Sequence, residues 1–152
     1  MSLRTRISDS MKQAMKDKAA DRLSTLRLVN AAIKDKDIAA RATGSDEGVS
    51  DDEVLAILGK MAKQRAESAR AYEEGGRLDL ADREREEIKV IEEFLPRQLS
   101  EAETAAAVDS AIEDTGAQSI RDMGKVMGAL KGQYTGQMDF GIVGPMVKER
   151  LS

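Results

Sequence analysis

The stretch Tyr72–Glu103, YEEGGRLDLADREREEIKVIEEFLPRQLSEAE, decides how this chain is organised. The Gly75-Gly76 pair ends one helix, because glycine tolerates the left-handed conformation that a helix C-terminus often requires. From about Leu78 a fourth helix follows, with Ala81, Ile88, Ile91 and Leu95 at helical spacing. Its other faces carry Asp, Glu and Arg three and four residues apart, a pattern of surface ion pairs contributing about 0.2–0.5 kcal/mol each. Pro96 then imposes a stop, since proline donates no backbone hydrogen bond and pushes the residue before it out of the helical region. Ser100 with Glu103 forms a capping box, in which each side chain satisfies a backbone donor of the other residue. The stretch predicts an all-α fold cut at Leu95–Ser100. A larger N-terminal four-helix domain, residues 1–95, precedes a smaller C-terminal three-helix domain, residues 96–152.

Outward from that cut, helical periodicity continues and no alternating strand pattern is found. Leu3, Ile7, Met11, Ala14 and Met15 form one stripe, predicting a first helix that ends near Lys18. Leu23, Leu26, Val29 and Ile33 predict a second, running to about Arg41. TGSDEGV, residues 43–49, reads as a polar, mobile loop. Ser50 with Glu53 is another capping box, with Asp51 and Asp52 at the positive helix end. The third helix carries Val54, Leu58, Met61, Ala62, Ala69 and Tyr72. Beyond the cut, Ala105, Val108, Ala111 and Ile112 predict a helix that ends before Gly116. A weaker cap, Ser119 with Asp122, opens a helix of Ile120, Met123, Val126, Met127 and Leu130. Gly132–Gln137 reads as a loop, and Asp139 caps a last helix containing Ile142, Val143, Met146, Val147 and Leu151. Pro145 inside that helix predicts an irregular start or two short pieces.

Composition narrows the chemistry. Aromatic residues are 3% of the chain and Trp is absent, so the core must be built from Leu, Ile, Val, Met and Ala. There is no Cys, which excludes disulfides and thiolate metal sites. There is also no His, which excludes a Ser-His or Cys-His pair and a histidine metal site. No apolar run approaches the length of a membrane span, and MSLRTRISDS lacks the apolar stretch of a secretory signal. The expected location is the cytoplasm. The net charge of −4 is unevenly spread: residues 2–42 hold ten Lys/Arg against five Asp/Glu, residues 46–95 eight against fifteen, and residues 96–152 six against eight.

The carboxylates of the fourth helix (Asp79, Asp82, Glu84, Glu86, Glu87 and Glu93) read as a solvated face. Di-metal bundles take Glu-x-x-His ligands, and there is no His to supply them. Neither a catalytic residue nor a metal ligand is assigned, and no cofactor is expected. Lys60, Lys63, Arg65, Arg70 and Arg77 could meet phosphates, but pairing with the acids of the next helix is the stronger reading. Gly124, Gly128 and Gly132 recur every four residues along MGKVMGALKG. Glycine costs about 1 kcal/mol at a helical position relative to Ala, so three on one face mark a close-approach surface. Either a neighbouring helix packs there, or a nucleic-acid backbone lies there between Lys125 and Lys131. Tyr72, Phe94 and Phe140 read as packing residues. Tyr134, placed in the loop, is the aromatic available for base stacking.

The chain resembles the stand-alone YqeY-like proteins of the GatB/YqeY family from end to end. The resemblance is carried by MKQAMKDK, RLSTLRLVNAAIK, DDEVLAIL, KQR at residues 63–65, Tyr72, GRLDLADRE, FLPRQLSE and RDMGKVMGAL, in that order and spacing. It implies an all-α protein with a larger N-terminal and a smaller C-terminal helical domain. The related region of GatB is the tail of the glutamine-dependent tRNA amidotransferase, where it contacts tRNA away from the chemical centre. The resemblance also implies carbon–nitrogen ligase activity with glutamine as amido-N-donor, in a complex whose other parts hydrolyse glutamine and use ATP. The implied partners are tRNA and an aminoacyl-tRNA or amidotransferase complex, with no membrane and no metal; a purely protein-binding helical module is the further alternative. By position, the resemblance points to Gly124, Lys125 and Val126 and to Lys148. Lys125, Lys131 and Lys148 are the expected nucleic-acid-binding residues. Gly144-Pro145 departs from the family pattern of a continuous last helix.

Overall fold

A computed structural model of the chain describes residues 2–44 and 48–152. Among these residues it is all-α. The helices are α1 (Leu3–Lys16), α2 (Ala20–Ala42), α3 (Asp51–Glu74), α4 (Leu78–Glu92), α5 (Glu101–Thr115), α6 (Met123–Tyr134) and α7 (Phe140–Leu151), with one 3-10 turn, Ile120–Asp122, leading into α6. The chain divides into two compact units, Met1–Leu95 and Pro96–Ser152. Residues 45–47 of the polar loop, and the mobility read for them, lie outside the described residues.

In the front unit, Ser2 caps α1, its Oγ accepting the Thr5 N–H at 3.2 Å. Ser50 caps α3, with the Glu53 N–H donating to Ser50 Oγ at 3.2 Å and the Ser50 N–H to Glu53 Oε1 at 3.5 Å. The core is Leu3, Ile7 and Ala14 of α1, Leu26, Val29 and Ile33 of α2, Val54, Leu58 and Met61 of α3, and Val49, Ile91 and Phe94. Met15, expected on the first stripe, is instead 56% exposed, because α1 turns its Leu3–Ile7–Ala14 edge inward.

One charged side chain enters this core's margin. Asp37 of α2 is 7% exposed. Its Oδ2 accepts from Arg4 Nη2 at 2.8 Å, and its Oδ1 accepts from Arg4 Nη1 at 3.1 Å and from the Val49 N–H at 2.9 Å. The Arg4 guanidinium foremost, and then the Val49 amide, hold its carboxyl below the usual range despite burial. Gly48 closes the arrangement with φ +73°, and a Cβ built there would lie 3.1 Å from Asp37 Oδ1. Asp51 adds a second tie, accepting the Leu3 N–H at 3.2 Å.

α4 ends earlier than its periodicity predicts. The N–H groups of Glu93, Phe94 and Leu95 donate to the carbonyls of Val90, Ile91 and Glu92 at 3.3, 3.1 and 3.1 Å. This is the tighter 3-10 pattern. Leu95, as the residue before Pro96, is disfavoured in helical geometry, and the tightened turn carries Phe94 into the core, where it is 5% exposed. The Arg6 guanidinium sits 5.6 Å from the centre of that ring.

In the back unit the segment after Pro96 is tied down at once. The Leu99 N–H donates to the Gln137 carbonyl at 3.0 Å, and Gln137 Nε2 donates to the Arg97 carbonyl at 3.0 Å. Ser100 and Glu103 make the reciprocal capping box at 3.1 Å each way. Arg97 grips the same Glu103 carboxylate with both guanidinium nitrogens, at 2.8 and 2.7 Å. Gly116, at φ +66°, ends α5 in the left-handed conformation. The core is Ala107, Val108 and Ala111 of α5, Val126 and Leu130 of α6, Met138, and Val143, Val147 and Leu151 of α7.

Three expectations are corrected here. Ile120 lies in the 3-10 turn and is 45% exposed, rather than on the α6 stripe. α6 continues through Tyr134 instead of ending at Gly132, because Tyr134 follows Leu130 by four residues and packs on the same core. α7 is one helix with Pro145 inside it. Gly144 has no Cβ to clash with the proline ring, which relieves the usual restriction on the preceding residue. The backbone donor lost at Pro145 would have served the carbonyl of Gly141, an exposed residue in the first turn open to water.

Two outcomes follow. Gly48→Ala lowers stability by about 1–2 kcal/mol, the cost of a left-handed non-glycine residue, measured as a fall in the urea midpoint. Glu103 is held down to about 2, from an ordinary value of 4.5, chiefly by Arg97. A carboxyl lowered in the folded state contributes stability that is complete above about pH 4.5 and is lost as pH falls toward 2. Arg97→Ala therefore moves the NMR titration midpoint of the Glu103 carboxyl upward and brings acid unfolding of the back unit to higher pH.

Candidate nucleic-acid interface

α6 starts from a carboxylate-braced turn. Asp122 Oδ2 accepts the N–H groups of Gln118 at 3.0 Å and Ser119 at 3.4 Å. The Gln118 amide first, then the Ser119 amide and the charge of Lys125, lower its pKa. From this turn the helix presents Val126 and Leu130 to the core. A helix advances about 100° per residue, so Gly124, Gly128 and Gly132 fall on the opposite side, and all three are exposed. A Cβ built on any of them meets nothing within 4 Å. Packing of a neighbouring helix on these glycines, one of the two readings of the close-approach surface, is therefore absent among the described residues.

Lys125 and Lys131 are exposed on either side of the glycine strip, six residues apart, or roughly 9 Å along the axis. Lys148 stands on α7. Gly144, one turn before it, faces α6: a Cβ built on it would lie 3.9 and 4.0 Å from the Cε atoms of Met123 and Met127. Lys148 thus rises from the edge of α7 that lies along α6. Lys131, one turn beyond Met127, rises from the matching edge of α6. The fold places Lys131 and Lys148 along one seam and Lys125 beyond the glycines. Among the described residues neither Lys131 nor Lys148 is held in a salt bridge, whereas Arg150 of α7 is occupied by Asp109 at 2.6 Å.

Tyr134 is not a loop platform. It is the last residue of α6 and is partly buried against the back core. Arg121, exposed in the turn before α6, is a cation that residue spacing did not single out; its signal was a basic residue three positions ahead of the first glycine. Charge is segregated in this unit. Residues 101–115 carry five Asp/Glu and no Lys/Arg, while residues 121–134 carry three Lys/Arg and one Asp.

In the front unit, Arg65 is engaged by Glu87 of α4 at 2.8 Å and Arg77 by Asp79 at 3.4 Å, as expected of cations facing the acids of the next helix. Glu86 pairs with Lys89 at 2.9 Å. An open cleft between the start of α2 and α4 is lined by Asp21, Arg22, Thr25, Asp79, Asp82 and Glu86 among others. Among the described residues no group of three or more Asp or Glu is arranged to hold a metal, and no helix is long and apolar enough to cross a membrane.

A family model described as Yqey-like protein matches residues 4–151. The chain belongs to the YqeY-like family. Among similar proteins, an uncharacterized protein of Schizosaccharomyces pombe is 33% identical over 99 residues, covering 64% of this chain and 72% of that protein. Two yeast proteins share the name altered inheritance of mitochondria protein 41, mitochondrial. The one from Vanderwaltozyma polyspora is 34% identical over 89 residues, 59% of this chain and 46% of its own length. The one from Meyerozyma guilliermondii is 32% identical over 141 residues, 91% of this chain and 65% of its own length. The match spans less than two thirds of each of these two longer relatives.

Because Gly128 is helical and faces open space, Gly128→Ala raises the stability of this YqeY-like chain by roughly 0.5–1 kcal/mol. Equilibrium urea unfolding measures it. A loss of stability would mean that something in the fold does occupy the strip.

Proposed function

We propose that this YqeY-like protein is an accessory helical protein that binds tRNA, or tRNA held by an aminoacyl-tRNA or amidotransferase complex, through α6 and α7 without catalysis of its own. The observation that carries the reading is the bare glycine strip on α6, exposed and edged by Lys125 and Lys131. A sugar–phosphate backbone approaches such a strip more closely than it approaches a side-chain-covered helix. The flanking ammonium groups supply the counterion-releasing contacts on which phosphate binding depends. The segregation of acids onto α5 favours the same side. The resemblance to the tRNA-contacting tail of the amidotransferase agrees with it, and assigns the four-helix front a supporting role as a separate domain. Cytoplasmic residence belongs to the same proposal.

Binding of the full chain to tRNA tests the reading. The affinity falls steeply as salt is raised from about 50 to 200 mM. Replacing Lys125, Lys131 and Lys148 together by Ala weakens binding across tRNA sequences and lowers the salt slope by about 1 per lysine. No binding at low salt, or binding untouched by the triple substitution, sinks the assigned surface. Glutamine-dependent amidation by the purified chain alone would overturn the non-catalytic part.

A further inference from the structure

α2 turns Leu26, Val29, Ile33 and Asp37 inward. Its other side carries a second, exposed pattern. Leu28 is 47% exposed and Ile38 62%, and Ala31, Asp35 and Ala39 between and beside them are exposed as well. At about 100° per residue these five positions occupy one sector of roughly 100°. Along one edge of that sector run Arg27, Lys34 and Arg41, seven residues apart and all exposed. A seven-residue spacing drifts only about 20° around a helix, so the three cations form one nearly straight row. None of them is held in a salt bridge among the described residues. Asp37, the carboxylate one turn before Arg41, is already engaged by Arg4.

We propose that the outer face of α2 docks an acidic amphipathic helix of a partner protein, whose apolar side lies on Leu28, Ala31 and Ile38 and whose carboxylates run along Arg27, Lys34 and Arg41. Three considerations select this occupant. An RNA backbone would use the cations but leave Leu28 and Ile38 in water, whereas a helix laid on another helix uses both, as in helix-in-groove recognition. A lipid surface would have to take in Asp35, which sits inside the apolar sector; a protein partner meets it with one Lys or Arg. A second copy of α2 fails on charge: antiparallel pairing sets the cationic row against itself, and parallel pairing sets it against the edge of Ala32 and Lys36, which offers no carboxylate. Charge complementarity therefore specifies an acidic flank on the partner.

The probe is a synthetic helical peptide with Leu repeated on one face, a row of Glu along one edge and a single Lys within the apolar face. It is titrated into the full chain and followed by fluorescence anisotropy and by amide chemical shifts. A matched peptide with Lys in place of the Glu row is the control. The acidic peptide binds more tightly than the control and shifts amides within residues 24–42. Leu28→Glu with Ile38→Glu weakens it by about tenfold or more. Arg27→Glu with Lys34→Glu reverses the preference in favour of the Lys-row peptide. These substitutions are at exposed sites, and an unchanged circular dichroism spectrum confirms the fold. Equal binding of the two peptides, shifts that map elsewhere, or insensitivity to both double substitutions overturns the proposal. So does preferential perturbation of the α2 amides by phosphatidylserine-containing vesicles or by tRNA. The α2 variants keep the tRNA affinity of the parent chain, so the two surfaces stand or fall separately.

Discussion

The carboxylate of Asp37 is the tie on which the front unit depends. A chain with two Phe, two Tyr and no Trp has few large, shape-specifying side chains with which to orient its helices. Aliphatic and Met-rich cores tolerate repacking and specify geometry weakly. Asp37 supplies what they lack, because its two oxygens are directional acceptors at the core margin. It binds Arg4 of α1 with both oxygens and the Val49 N–H at the entry to α3 with one. Three segments distant in sequence thereby acquire one register.

The same device recurs in smaller form at the helix ends. Asp51 accepts the Leu3 N–H, Glu53 and Glu103 accept from their own capping serines, Asp122 accepts two N–H groups, and Asp139 accepts the Gly141 N–H. Helix starts leave several amide donors without intrahelical partners and carry partial positive charge. Acidic side chains satisfy both conditions at once. These acids therefore have a structural role. Glu103 shows how far this goes: one carboxylate serves the Ser100 amide and the Arg97 guanidinium together.

α6 illustrates the opposite economy. Its core side is ordinary, with Val126 and Leu130 buried. Its outer side has three glycines where alanine would favour the helix and meet no neighbour. A helix that gives up intrinsic propensity on an open face retains a surface on which another backbone can come close. On this chain that surface lies between two lysines, in a segment, residues 121–134, with three Lys/Arg and one Asp.

The two capping boxes, the Gly75 and Gly116 stops and the break near Pro96 were legible in the sequence, as was the pairing of Arg65 with an acid of α4. Each depends on residues within one turn or on one periodic face, so residue identity and spacing are enough. The glycine strip and its lysines were legible as a pattern, but whether a helix covered the glycines was not, since that depends on where α5 and α7 go. Asp37 gave no sequence signal: an Asp among alternating Lys and Asp reads as surface, and only the approach of Arg4 and Val49 makes it buried. Tyr134 extended α6 because the core was within its reach, and α7 ran on through Pro145 because Gly144 could lie against Met123 and Met127. By itself the sequence determined the helices and most of their ends, because caps and stops act over three or four residues. Tertiary structure alone decided which faces were covered, which charges were neutralised and which strip stayed bare, because those depend on groups brought together from distant parts of the chain.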